Sequence, residues 1–244
     1  MKTILIMLSL LSLDSCKNDL HERVSYMDIS VIRDITDPHV LQPNANSILA
    51  LYNLSENKSA DVNFRYCEIL DKVLVPAVDL HLPDEAVTNR QNKKNEPLYR
   101  ERIILNFYDT IRKTLSPSYI NSDSSFKDYS ECYKTISGEL SLLFQSKSSN
   151  RVLLIFSNLF ENSEILNIYI EKTKNLLLQK PGKIAEQFEK YNLLPERLNG
   201  IKVFFVFQPI TRAEDLLYLQ IVSEYRRLLE SRGAIVKVQA NNSY

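Results

Sequence analysis

The sequence predicts an α/β fold of three layers: a mainly parallel central sheet with helices on both faces, and one antiparallel edge strand contributed by a hairpin. Three observations predict it. Apolar, β-branched runs such as "RVLLIFSN" and "GIKVFFVFQP" are continuous rather than alternating, as strands buried on both faces are. Segments of helical period lie between them, the arrangement that joins parallel strands by crossovers. No linker, repeat or low-complexity stretch divides the chain, so residues 24–244 are expected to form a single domain.

The elements follow in order. "VSYMDISVIRDIT" reads as a strand apolar enough to be central, and "NSILALYNLS" as a short helix capped by Asn44 or Asn46. "VNFRYCEIL" and "KVLVPAVDLHL", separated by Asp71, stand at hairpin spacing, and Pro76 assigns the second to an edge or a bulge. "DEAVTNRQNKKNEP" reads as a polar loop. Apolar residues recur at three and four from Leu98 to Leu115 and from Phe126 to Phe144, which predicts two amphipathic helices. After the strand "RVLLIFSN", Glu161 to Tyr191 is expected to be mainly helical, broken at Pro181 and Gly182. After "GIKVFFVFQP" comes the clearest helix, "RAEDLLYLQIVSEYRRLLESRG", with Thr211 as its cap and Gly233 where a left-handed C-terminal residue is wanted. "AIVKVQA" is the last strand.

The chain opens with one lysine, an apolar run from Thr3 to Leu13, then Asp14, Ser15 and Cys16. A run this short falls below the roughly 20 residues that span a bilayer as a helix, and it reads as a signal peptide over residues 1–15. A cysteine after a small residue, with Leu13 three places before it, resembles the lipobox of bacterial lipoproteins, although Asp14 departs from that pattern. The resemblance implies that Cys16 carries lipid, that residues 16–23 are a tether, and that the protein is anchored to a membrane of the cell envelope, in the periplasm or at the outer membrane, through acyl chains alone.

Composition and spacing exclude several chemistries. Lysine plus arginine and aspartate plus glutamate are 30 each, and their even scatter leaves no electrostatic footprint for nucleic acid. The four glycines, at 138, 182, 200 and 233, are too far apart for a dinucleotide fingerprint, a P-loop or a nucleophile elbow. The three histidines show no metal spacing with one another or with Cys67 and Cys132, whose pairing the spacing leaves open. No set of catalytic residues emerges.

What remains is polar residues at strand ends. In open α/β sheets ligands bind beyond the carboxyl ends of the strands, where the strand order reverses. "VIRDITDPHV" places Asp34, Thr36 and Asp37 past the first strand, and "RVLLIFSNLFE" places Ser157, Asn158 and Glu161 past a later one. Gln208 follows a third strand and is a candidate for the same crevice. With these residues and this order of elements, the chain resembles a von Willebrand factor A-type domain, a Rossmann-like fold, over nearly its whole mature length. That resemblance implies a metal-ion-dependent adhesion site in which Asp34 and Thr36 fall on the first aspartate and serine, Asn158 on the last aspartate and Thr88 on a loop threonine. Pro38 replaces a second serine, and Asp37 or Glu161 supplies the missing charge. The resemblance also implies weakly held Mg²⁺ or Mn²⁺ and, as partner, another protein. Two alternatives stand beside it: a metal-dependent, phosphoesterase-like envelope hydrolase using Asp34, Asp37 and His39 with His81, and a metal-free structural subunit of an envelope or conjugation apparatus. The resemblance leans away from an enzyme.

Overall fold

The computed structural model describes residues 26–69, 78–93, 96, 98–116 and 129–244. The signal peptide, Cys16, the tether, Asp71 and Pro76 of the hairpin, and most of the segment between the two long helices lie outside the described residues.

Six strands form one sheet in the order β3-β2-β1-β4-β5-β6. They are β1 (Tyr26–Asp34), β2 (Asp61–Ile69), β3 (Val78–Leu82), β4 (Asn150–Phe156), β5 (Ile201–Val206) and β6 (Ile235–Gln239). All neighbours are parallel except β2 and β3. The helices are α1 (Ala45–Tyr52), α2 (Glu85–Gln91), α3 (Tyr99–Thr114), α4 (Cys132–Gln145), α5 (Glu171–Gln179), α6 (Lys183–Glu189) and α7 (Arg212–Glu230).

Register and side-chain alternation divide the helices between the two faces. Ile29 of β1 pairs with Phe64, and Phe64 with Leu80, which meets Ile103 and Phe107 of α3. Tyr52 of α1 lies edge-on to Phe107, so α1 and α3 share that face. Ser30 points the other way and donates to Glu139 of α4. On α4's side Phe205 packs against Tyr225 of α7, and Tyr133 of α4 stacks at 4.3 Å on Phe188 of α6. Among the described helices, those on α4's side cover β1, β4, β5 and β6 and leave β2 and β3 as one wall of a cleft of about 390 Å³.

Caps follow the sequence where it carries the right side chain. Asn44 accepts from Ser47 N at 3.1 Å and Thr211 from Glu214 N at 3.1 Å. Gly233 has φ +90°, and a Cβ there would stand 1.8 Å from Asn199 Oδ1. Gly182 has φ +92°, and a Cβ there would meet the Arg227 guanidinium at 2.2 Å.

Two expectations are corrected. The segment after β3 is not all loop: Asp84 accepts from Val87 N at 2.7 Å and starts the short helix α2. Residues 161–170 are not helical. Asn162 exchanges backbone hydrogen bonds with Ser130, and Ser163 N donates to Leu166 O, so a compact loop precedes α5.

Candidate functional site

The strand order reverses between β1 and β4, and the ends of these two strands build the site. Asp34, the last residue of β1, is 1% exposed. Its Oδ1 accepts from Thr36 N at 2.9 Å and from Thr36 Oγ1 at 2.6 Å, so "DIT" folds back on itself as an Asx turn. Its Oδ2 accepts from Ser157 Oγ of the loop after β4 at 2.8 Å. The Cys132 thiol, at the first turn of α4, lies 4.0 Å from the same oxygen and 3.2 Å from Ser130 Oγ.

A second tier lies toward solvent. Asp37 takes His39 N on Oδ1 at 2.8 Å and Asn158 Nδ2 on Oδ2 at 2.7 Å, and thereby joins the two strand-end loops again. Asn158 Oδ1 is used by Phe160 N, and Ser157 Oγ also accepts from Leu159 N, both at 2.8 Å. These bonds hold Leu159 fully buried at φ +61°, the left-handed region that costs a non-glycine residue about 1 kcal/mol.

The electrostatics follow first from burial. Burial raises the Asp34 pKa, bonds from Thr36 and Ser157 pull it part of the way back, and Asp37 adds to the rise. The Cys132 thiol is pushed up by burial and then by Asp34 and Glu161, which leaves it inert as a nucleophile. Glu161 is 0% exposed, and burial brings its pKa up to about 7. Tyr169 stands at the rim, its ring edge-on to Phe160. Its phenol is pushed up to about 12, first by partial burial and then by acidic groups that include Asp34, Asp37 and Glu214.

The structure therefore brings Asp34, Thr36, Asp37, Ser157 and Asn158 together. Gln208 lies at the same end of the sheet, in the exposed loop after β5. Glu161 does not face the crevice: it caps α4, accepting from Tyr133 N at 2.7 Å and from the Ser163 hydroxyl. Thr88 lies at the opposite end of the sheet. It donates to Asp84 O and accepts from Arg100, which also holds Ala60 O just before β2. His81 is likewise remote: it sits within β3, 3.2 Å from Asp61, so the four ligands of the hydrolase alternative do not meet. Cys132, Ser130 and Tyr169 belong to the site but carry no sequence signal, because docking of α4 and the 161–170 loop places them there.

The donor set does not fit a resident divalent ion as it stands. Mg²⁺ takes six oxygens at about 2.0–2.1 Å, several of them water, around one or two carboxylates. Here the Thr36 and Ser157 hydroxyls are turned onto Asp34, and Asn158 Oδ1 onto the backbone. Among the described residues no group of three or more His, Cys, Asp and Glu side chains is placed to hold a metal. The chain matches no family model and no curated protein.

Proposed function

We propose that this chain is a von Willebrand factor A-like binding module, tethered to an envelope membrane by lipid on Cys16, that engages another protein through the crevice at the carboxyl ends of β1, β4 and β5. The observation that carries the reading is the direct bond between Asp34 and Ser157 across the switch point, where ligand sites of open α/β sheets form. The antiparallel edge beside five parallel strands supports the resemblance in strand order. Exposed apolar residues at this end, Tyr169, Ile170 and Ile210, at 57%, 54% and 62%, are the kind of rim a protein partner covers. No helix among the described residues is long and apolar enough to cross a membrane, and in this reading the anchor lies in residues before them. Hydrogen bonds take the place of the ion, so recognition is metal-independent.

A photo-reactive residue at Ile210 tests the face. In native envelopes it yields a discrete protein adduct that the same probe at Leu105, equally exposed on α3, does not. Identical adducts at both positions, or none at Ile210, overturn the reading. Stability tests the ion: melting in EDTA, then in Mg²⁺ or Mn²⁺, is expected to be unchanged. Saturating metal at about one hundred times its dissociation constant would add roughly 2.7 kcal/mol if a native-state site existed. Acyl labelling that disappears in Cys16→Ser tests the anchor.

A further inference from the structure

The two edges of the sheet are finished differently. β3 ends the order on one side and β6 on the other, and among the described strands each pairs with one neighbour only. An open edge is a template for another strand unless something blocks it, and an exposed lysine is a common block. On β6 that lysine is Lys237, at the centre of "IVKVQ". If β6 paired antiparallel with itself about its centre, Lys237 would face Lys237 of a second copy, two like charges directly opposed.

β3 has the opposite character. Its sequence is "VDLHL", with Asp79 and His81 on one face and Val78, Leu80 and Leu82 on the other. The Asp79 and His81 side chains are 66% and 54% exposed. We propose that β3 pairs antiparallel with β3 of a second copy of this chain, about a two-fold axis at Leu80, joining the two sheets into one. In that register Val78 faces Leu82, Leu80 faces itself, and Asp79 faces His81 in both directions, as an isologous interface requires.

The polar contacts already present extend across that axis. Glu139 pairs with Arg65 at 2.8 Å, Arg65 with Asp79 at 2.5 Å, and His81 with Asp61 at 3.2 Å. Joining Asp79 of one copy to His81 of the other makes a single row in which each carboxylate meets a guanidinium or an imidazole: Glu139, Arg65, Asp79, then His81 and Asp61. On the opposite face a groove of about 220 Å³ between β3 and α3, lined by Leu80, Leu82, Ile103 and Phe107 and edged by the polar Asn106 and Thr110, borders the apolar side chains of the incoming strand. A slip of one residue would set Asp79 and His81 of the incoming strand against Leu80 and Leu82, so alternation favours the register.

The test uses the full chain in a density-matched detergent, so that sedimentation equilibrium reads protein mass alone. Wild type is expected at twice the chain mass. Asp79→Lys alone sets Lys against His81, and His81→Asp alone sets two aspartates together, so each is expected at one chain mass. Mixed in equal amounts they restore one Lys–Asp and one His–Asp contact, and the double mass returns. A wild type of one chain mass overturns the proposal, as do variants that stay dimeric or a mixture that stays monomeric. Recovery on mixing cannot arise from variants that have merely misfolded.

Discussion

Two buried carboxylates lie where α4 packs on β1, Glu139 on the helix and Asp34 on the strand, and they are held in opposite ways. Near its middle α4 brings Glu139, 5% exposed, onto Ser30 and onto the Arg65 guanidinium, whose Nε lies 2.8 and 2.9 Å from the two oxygens. Burial works against the charge on Arg65, but its bonds to Asp79 and Glu139 carry its pKa upward. At its first turn α4 brings Cys132 beside Asp34, whose donors are all neutral: two hydroxyls, one backbone amide and a distant thiol. A carboxylate matched by a cation depends on that cation. A carboxylate matched by neutral dipoles sits closer to taking up a proton, and an isosteric neutral group can stand in for it.

The largest expected effect lies at the neutral end. Glu161 titrates near 7 in the fold against an ordinary 4.5, so the native state holds its proton more tightly than the unfolded chain. Its contribution is complete below pH 4.5 and is lost as pH rises through 7, a fall of about 3 kcal/mol. Asp34, shifted the same way, adds to it. Urea midpoints at pH 5 and pH 8 should record the fall, and Glu161→Gln, which keeps an acceptor for Tyr133 N, should remove most of it. A wild type that gains stability over that range would break the comparison.

Next comes Arg65→Met, which leaves Glu139 buried without its cation. Because the Arg65 side chain is 28% exposed, the cost is set below that of a fully buried pair, at about 2–3 kcal/mol. Asp34→Ala follows at about 2 kcal/mol, from orphaned Thr36 and Ser157 donors. Asp34→Asn is the smallest, within about 1 kcal/mol, because an amide keeps the Thr36 bonds and can donate to Ser157. Equal losses for Arg65→Met and Asp34→Asn would mean that Asp34 has a cationic partner after all.

Strands and long helices were legible in the sequence because their patterns are local. "RVLLIF" and "IKVFFV" are too short for typical helices and rich in β-branched and aromatic residues, which favours strands, and Thr211 announces α7 by its position. The errors came where an isolated pattern competes with a tertiary bond. "EILNIYI" carries helical spacing, yet Glu161 is taken by α4, Asn162 by Ser130, and Ser163 by the turn at Leu166. Asp34, Thr36 and Ser157 could be placed together because they follow parallel strands, which end on one side. Thr88 could not join them: β3 runs antiparallel, so the segment after it emerges at the other end of the sheet. His81 fails as a ligand for the same reason, since its strand carries it toward Asp61 and away from Asp34.

The cap of α6 implies an order in time. Helix α6 has no side-chain cap of its own; Glu224 of α7, buried at 2%, takes Gly182 N at 2.6 Å and Ala185 N at 2.9 Å. During synthesis, at roughly 5–20 residues per second, the first turn of α6 therefore emerges seconds before the carboxylate that satisfies it. Until α7 docks, Phe188 also lacks its neighbour Tyr225, so α6 gains its cap and this part of its packing only when α7 arrives.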